Sequence, residues 1–88
     1  MSTTARDELN GFVAAKTAQI ATIESTLSTL TGFALLEKQQ EIANLQVQIS
    51  AAQACLDKLD EWQAAGYTTA YLQWTNGIPG VSRSLNIG

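Results

Sequence analysis

Few side chains in this 88-residue chain have the type and spacing that catalysis requires. Cys55 is the single cysteine, and the chain has no histidine, the residue that usually activates a cysteine nucleophile. We therefore interpret Cys55 as a small buried apolar side chain. The commonest general base near neutral pH is also missing, so the sequence predicts a protein that is not an enzyme.

A group of acidic residues is the main candidate for a cation site. Asp57, Asp60 and Glu61 lie close together, and Asp57 and Glu61 would share one face of a helix, one turn apart. A hard cation such as Ca²⁺ needs about six or more oxygen ligands, and the sequence has no loop with that ligand pattern. The glycines that follow residue 65 do not form a phosphate-binding motif either. The sequence thus predicts a solvated acidic face and no metal or other cofactor.

Charge and hydropathy exclude two classes of partner. The chain has five basic and eight acidic residues, a net charge of −3, and its basic residues are scattered. A nucleic-acid surface needs clustered lysine and arginine, so we expect no nucleic-acid partner. No apolar run approaches the roughly 20 residues that span a bilayer, so we expect no membrane span, and the polar start is unlike a secretory signal.

The elements that would position these residues are two long helices. Residues 4–65 lack proline, and Thr4 can cap a helix whose first turn carries Asp7 and Glu8. Apolar residues follow alternating steps of three and four within each helix, as in a coiled-coil seam. We predict helices over about 4–30 and 34–65, with a core seam of Leu9, Val13, Ile20, Ile23, Leu27, Leu30, Leu35, Ile42, Leu45, Ile49, Leu56 and Leu59.

The register of the seam breaks between the two helices. The step from Leu30 to Leu35 is five, and the two halves of the seam mirror each other about Gly32. Gly32 suits a left-handed position past a helix end, with Phe33 making the accompanying apolar contact. The sequence therefore predicts an all-α fold: a long antiparallel helical hairpin over 1–65 with its turn at 31–33. The alternative is one long helix in a parallel coiled-coil oligomer.

A second stripe of mostly small residues runs along the second helix, formed by Leu36, Ala43, Val47, Ala51 and Ala54. It has two interpretations: alanines that merely favour a helical surface, and a packing face for another copy. We favour self-association, because a lone helical hairpin has too small a core.

Residues 66–88 are predicted to be a mostly irregular C-terminal docking arm. Tyr67, Tyr71, Trp74 and Ile78 recur at helical spacing, which favours a short helix closed by Gly77. A strand leading into a turn at Asn76-Gly77 is the alternative, and the nearby proline argues against a regular partner strand. Aromatic side chains are enriched at interface hot spots. The predicted interface residues are Trp62, Tyr67, Tyr71, Trp74, Ile78, Val81, Leu85 and Ile87.

These features predict a structural or assembly subunit that forms homo-oligomers or binds other protein subunits. In composition the chain resembles small accessory proteins of tailed bacteriophage particles, which implies a virion component; no single residue carries that resemblance. One alternative is a secreted helical-hairpin protein of the ESX type, although Leu30 stands where the tryptophan of the Trp-x-Gly turn belongs and Tyr71 where the acidic residue of the export motif belongs. A third is an adaptor or chaperone that binds a partner helix along the seam.

Overall fold

The chain folds into two helices followed by a small antiparallel sheet. The computed structural model describes residues 4–83. Helix α1 spans Ala5–Glu24, helix α2 spans Gly32–Ala64, strand β1 spans Ala70–Thr75 and strand β2 spans Ile78–Arg83. The fold is mostly helical but not all-α, and the alternative of one long helix is wrong.

The start of α1 follows the sequence prediction. The Thr4 side chain accepts a hydrogen bond from the backbone N–H of Asp7, at 3.1 Å. This cap satisfies one of the N–H groups that a helix start leaves free, and Asp7 and Glu8 place negative charge in the first turn. The predicted cap is confirmed.

The end of α1 differs from the prediction, because the helix stops at Glu24 rather than near residue 30. Three hydroxyl groups here donate to backbone carbonyls three residues earlier: Ser25 to Thr22, Thr26 to Ile23 and Thr29 to Thr26. Such bonds offer the backbone an alternative to helical pairing, and only a single 3₁₀ turn forms, over Leu27–Thr29. The connection therefore covers residues 25–31, longer than the predicted turn at 31–33.

A glycine with positive φ lies at each end of α2. Gly32 has a φ of +63°, the predicted left-handed conformation, but it is the first residue of α2 and not the residue just past the end of α1. Gly66 has a φ of +98° and follows the end of α2. There the N–H of Tyr67 bonds the carbonyl of Trp62 and the N–H of Gly66 bonds the carbonyl of Gln63, the pair of bonds that defines a Schellman motif.

Residues 70–83 form a β-hairpin, so the predicted short helix and irregular arm are wrong over this segment. The pairing runs from Ala70 with Arg83 to Thr75 with Ile78. Asn76 and Gly77 have φ values of +53° and +78°, which together make a type I′ turn. The twist of this turn matches that of paired strands, and Asn-Gly is its preferred sequence.

Pro79 fits the sheet because of its place in the register. A two-residue turn closes on a hydrogen-bonded pair, here Thr75 with Ile78, and such pairs alternate with non-hydrogen-bonded ones. Pro79 lies opposite Trp74, at a non-hydrogen-bonded position. Its nitrogen therefore faces away from β1, and the missing N–H removes no bond from the hairpin.

The hairpin covers a core formed by both helices. Leu9, Ala52 and Cys55 form a buried cluster, and Leu72 of β1 and Val81 of β2 pack against it. Leu9 and Ala52 are 0% exposed. The burial predicted for Cys55 is confirmed, because the side chain lies beneath β2 with its sulfur 3.5 Å from the Pro79 carbonyl oxygen.

An ion pair joins the start of α1 to the end of α2. Arg6 Nη1 lies 2.6 Å from an Asp60 carboxylate oxygen, and Arg6 Nη2 donates to Gln63 Oε1. The start of α1 thus lies beside the end of α2. The molecule measures 53 × 23 × 19 Å, and α2, at about 1.5 Å per residue, runs along nearly all of its length.

Candidate interaction surfaces

Every residue of the predicted core seam is at least partly buried, although Leu27 and Leu30 lie in the 25–31 connection and not in an α-helix. Three of its members are buried: Leu9, Ile23 and Leu45. The other nine are half-buried: Val13, Ile20, Leu27, Leu30, Leu35, Ile42, Ile49, Leu56 and Leu59.

The predicted interface residues divide between three places. Tyr71 and Ile78 are exposed on the outer face of the hairpin. Val81 lies on its inner face and packs against the core of its own chain. Trp62 and Tyr67 lie at the end of α2, while Leu85 and Ile87 fall outside the described residues.

Trp74 is held by the first helix. Its ring centroid lies 5.0 Å from that of Phe12, with the two rings tilted by 52°. The Lys16 ammonium lies 5.3 Å from the Phe12 ring centroid, within cation–π range. The contact between the Trp74 and Phe12 rings anchors the hairpin to α1, although Trp74 remains 44% exposed.

An open cleft of about 300 Å³ lies where the start of α1 meets the end of α2. We call it the end cleft. Leu59, Trp62 and Tyr67 give it an apolar wall, and Arg6 is the charged residue that lines it. The hydroxyl oxygen of Thr69, also on the lining, is buried and has no hydrogen-bond partner within residues 4–83. The end cleft can therefore accept an apolar group together with a hydrogen-bonding or anionic one.

A second surface runs along the side of α2 that faces away from α1. At about 100° per residue, Ala43, Val47 and Ala54 fall within roughly 20° of Leu36, and Leu45 in the core falls about 180° away. Leu36 is 59% exposed and Val47 is 56% exposed. We call this surface the outer face of α2. It has no charged residue between Glu41 and Asp57.

The apolar contact predicted for Phe33 past the end of the first helix is wrong. Among residues 4–83, its side chain is 85% exposed at the start of α2. α1 ends at Glu24, so Phe33 follows the 25–31 connection rather than a helix end.

The cysteine and the acidic residues are the candidates for a chemical site. Burial raises the pKa of the Cys55 thiol, which disfavours the reactive thiolate at neutral pH. Asp60 pairs with Arg6, as described above. Across residues 4–83, no group of three or more potential metal ligands is close enough to hold an ion.

The comparisons with known proteins give no relative. No protein-family model, no curated protein and no solved structure matches the chain. Within the described part of the chain, neither helix combines the length and the apolar character needed to cross a membrane.

Proposed function

We propose that this chain is a non-enzymatic structural or assembly subunit that self-associates through the outer face of α2. In this proposal α1 and α2 form a long antiparallel coiled-coil-like hairpin, and the C-terminal β-hairpin provides a second docking surface. A virion component of a bacteriophage particle is the setting that the composition favours.

The observation that carries the proposal is the uncharged outer face of α2. A solvated helix face normally carries charged side chains, and α2 has such residues at both of its ends. Residues 42–56 carry none, although Ala43, Val47 and Ala54 in this stretch are exposed. Depletion of charge is the compositional feature of interface centres, and small side chains allow two helices to approach closely.

The elongated shape supports the same proposal. The radius of gyration is 16.3 Å, against roughly 12 Å for a compact chain of this length. A rod exposes more surface per residue than a compact domain does, so less of its apolar area is removed from water. Packing a second copy along the rod would bury that surface and stabilise both copies.

Exposed side chains on the outer face of the β-hairpin support its proposed role as a second docking surface. Tyr71 is 60% exposed and Ile78 is 41% exposed on strands whose inner faces already pack on the helices. An exposed tyrosine supplies a large contact area at low entropic cost, which suits a protein partner.

Light scattering over a dilution series tests self-association directly. Val47→Glu places a charge in the centre of the outer face, and we expect it to dissociate the oligomer with unchanged helical circular dichroism. Gln46→Glu is the matched control, because it adds the same charge to an exposed position about 100° around the helix. A wild-type chain that stays monomeric at every concentration would overturn the proposal.

The exposed outer face also favours a second candidate, an adaptor or chaperone that binds one helix of another protein. A monomeric chain that captures an amphipathic helical peptide, and loses the peptide on Val47→Glu, would support it. The secreted ESX-type alternative gains no support from the connection, because residues 25–31 do not make the tight turn expected of it.

A further inference from the structure

We propose that copies also join end to end, with Phe33 of one copy entering the end cleft of the next. This inference rests on the proposed self-association and names a second contact for it. It concerns the two tips of the rod, whereas the outer face of α2 lies along its side.

The projecting part is the start of α2. Phe33 is 85% exposed, the highest value among the large apolar side chains that are exposed in residues 4–83. Glu37 follows one turn later and is also exposed, so the two side chains lie on one side of the helix. The neighbouring Lys38 pairs with Glu41 at 3.1 Å, which leaves Glu37 without an ion pair among the described residues. The tip thus presents an aromatic ring beside a carboxylate.

The end cleft offers complementary groups. Its volume of about 300 Å³ exceeds the roughly 150 Å³ that accommodates a benzene ring in a protein cavity. Leu59, Trp62 and Tyr67 would surround an incoming phenyl ring, and tilted aromatic pairs are favourable.

Charge complementarity supports the same occupant. The Arg6 side chain is 37% exposed and uses Nη1 and Nη2 for Asp60 and Gln63. A guanidinium has five N–H donors, so Arg6 can bind a further carboxylate. Glu37 of the incoming copy supplies that carboxylate as Phe33 enters.

The contact must form between molecules. Phe33 and Trp62 lie 29 positions apart on one helix (62 − 33), which corresponds to about 44 Å. One end of a copy would therefore meet the opposite end of another, a head-to-tail arrangement. Such an interface uses two different surfaces and continues into a ring or a filament.

Cross-linking between the two tips tests this contact. Ala34→Cys and Thr68→Cys place thiols next to Phe33 and on the rim of the end cleft, at exposed positions. We expect a short bismaleimide to give a ladder of covalent multimers, since about 45 Å of helix prevents a link within one chain. The pair Ala34→Cys with Gln46→Cys is the matched control, because Gln46 lies halfway along α2. Cys55 stays in place, since it is buried.

Phe33→Ala in the Ala34→Cys, Thr68→Cys background identifies the occupant. We expect about a 30-fold loss of end-to-end association, the size of an interface hot spot, and an unchanged melting temperature. A ladder that persists in this variant would overturn the inference, because the two tips would then meet without Phe33.

Val47→Glu separates this inference from the proposed function. If Val47→Glu lowers the mass measured by light scattering but leaves the ladder, and Phe33→Ala removes the ladder, both contacts exist independently. If wild-type chains oligomerise but no ladder forms, the end-to-end contact is wrong and the side-by-side proposal stands. If no oligomer and no ladder form, both are wrong.

Discussion

The two halves of the helix pair differ in what covers them. At one end the β-hairpin lies across both helices, and Leu9 and Ala52 beneath it are 0% exposed. Towards the 25–31 connection only two helices are present, and the best-buried residues there, Ile23 and Leu45, keep 9% and 7% of their surface exposed. We call these the covered half and the bare half. Two helices alone cannot surround a side chain, and a third layer closes the core.

The covered half also shows how a small sheet is stabilised. An isolated two-stranded hairpin is marginal in water. Here Leu72 and Val81 share one face of the hairpin and pack onto the helices, while Trp74 contacts Phe12. Hairpin and helices therefore stabilise each other, and removing residues 62–88 would expose the core.

Truncating a core leucine should give the largest difference between the halves. We expect Leu9→Ala to destabilise the fold by about 3 kcal/mol, because the fully buried site loses apolar contacts and leaves a cavity. Leu35→Ala, at a half-buried position in the bare half, should cost about 1 kcal/mol. Urea denaturation followed by circular dichroism measures both, and equal losses would show that the covering layer adds nothing.

Two glycine substitutions should change the free energy of unfolding in opposite directions. Gly77→Ala should destabilise by about 1–2 kcal/mol, because φ is +78° and the new Cβ would lie 3.3 Å from Gln48 Nε2. Gly11→Ala, in the middle of α1 with nothing within 4 Å, should stabilise by up to about 1 kcal/mol. Thermal melts of the two variants give the signs, and a neutral Gly77→Ala would contradict the turn geometry.

The aromatic contact between the hairpin and α1 should have a measurable coupling energy. A double-mutant cycle with Phe12→Leu and Trp74→Leu should give about 1 kcal/mol beyond the two single effects. A cycle of Phe12→Leu with Tyr71→Leu is the control, since Tyr71 faces outward. Additive effects in the first cycle would mean that the two rings touch without anchoring the hairpin.

Alkaline pH should weaken the covered half slightly. Burial beneath β2 raises the pKa of the Cys55 thiol, so the folded state retains a proton that the unfolded state releases. The stability due to this group is present below the ordinary thiol pKa, near 8.5, and declines as pH rises through the folded-state pKa. We expect a small loss of stability at pH 9 that is absent in Cys55→Ala. An identical pH dependence in both proteins would exclude this linkage.

Periodicity predicted the helices because burial on one side of a helix requires it. Alternating apolar steps marked the seam, and Thr4 and Gly66 marked two helix ends by their capping chemistry. The same periodicity could not find the end of α1. Leu27 and Leu30 continue the pattern, but the hydroxyl groups of Ser25, Thr26 and Thr29 bond the local backbone and stop the helix.

The sheet and the end cleft were beyond sequence reasoning for different reasons. In the segment 67–78, aromatic and apolar residues at steps of three and four favour a helix, whereas Asn76-Gly77 favours a turn. The turn chemistry prevailed because the strands could pack Leu72 and Val81 on the core. The end cleft combines α1, α2 and the loop before β1, and a spacing within any one of them does not reveal it.

Pro79 has a consequence for aggregation. A two-stranded sheet has two edges, and edges that are left free can recruit further strands without limit, as in amyloid. At the edge of β2, Pro79 is buried and its carbonyl oxygen already lies 3.5 Å from the Cys55 sulfur. The outward-facing nitrogen of Pro79 carries no hydrogen to offer an arriving strand on the β2 side. Strand addition is thereby hindered on one side of the hairpin, so the protein has partial protection against fibril growth that leaves its own strand pairing intact.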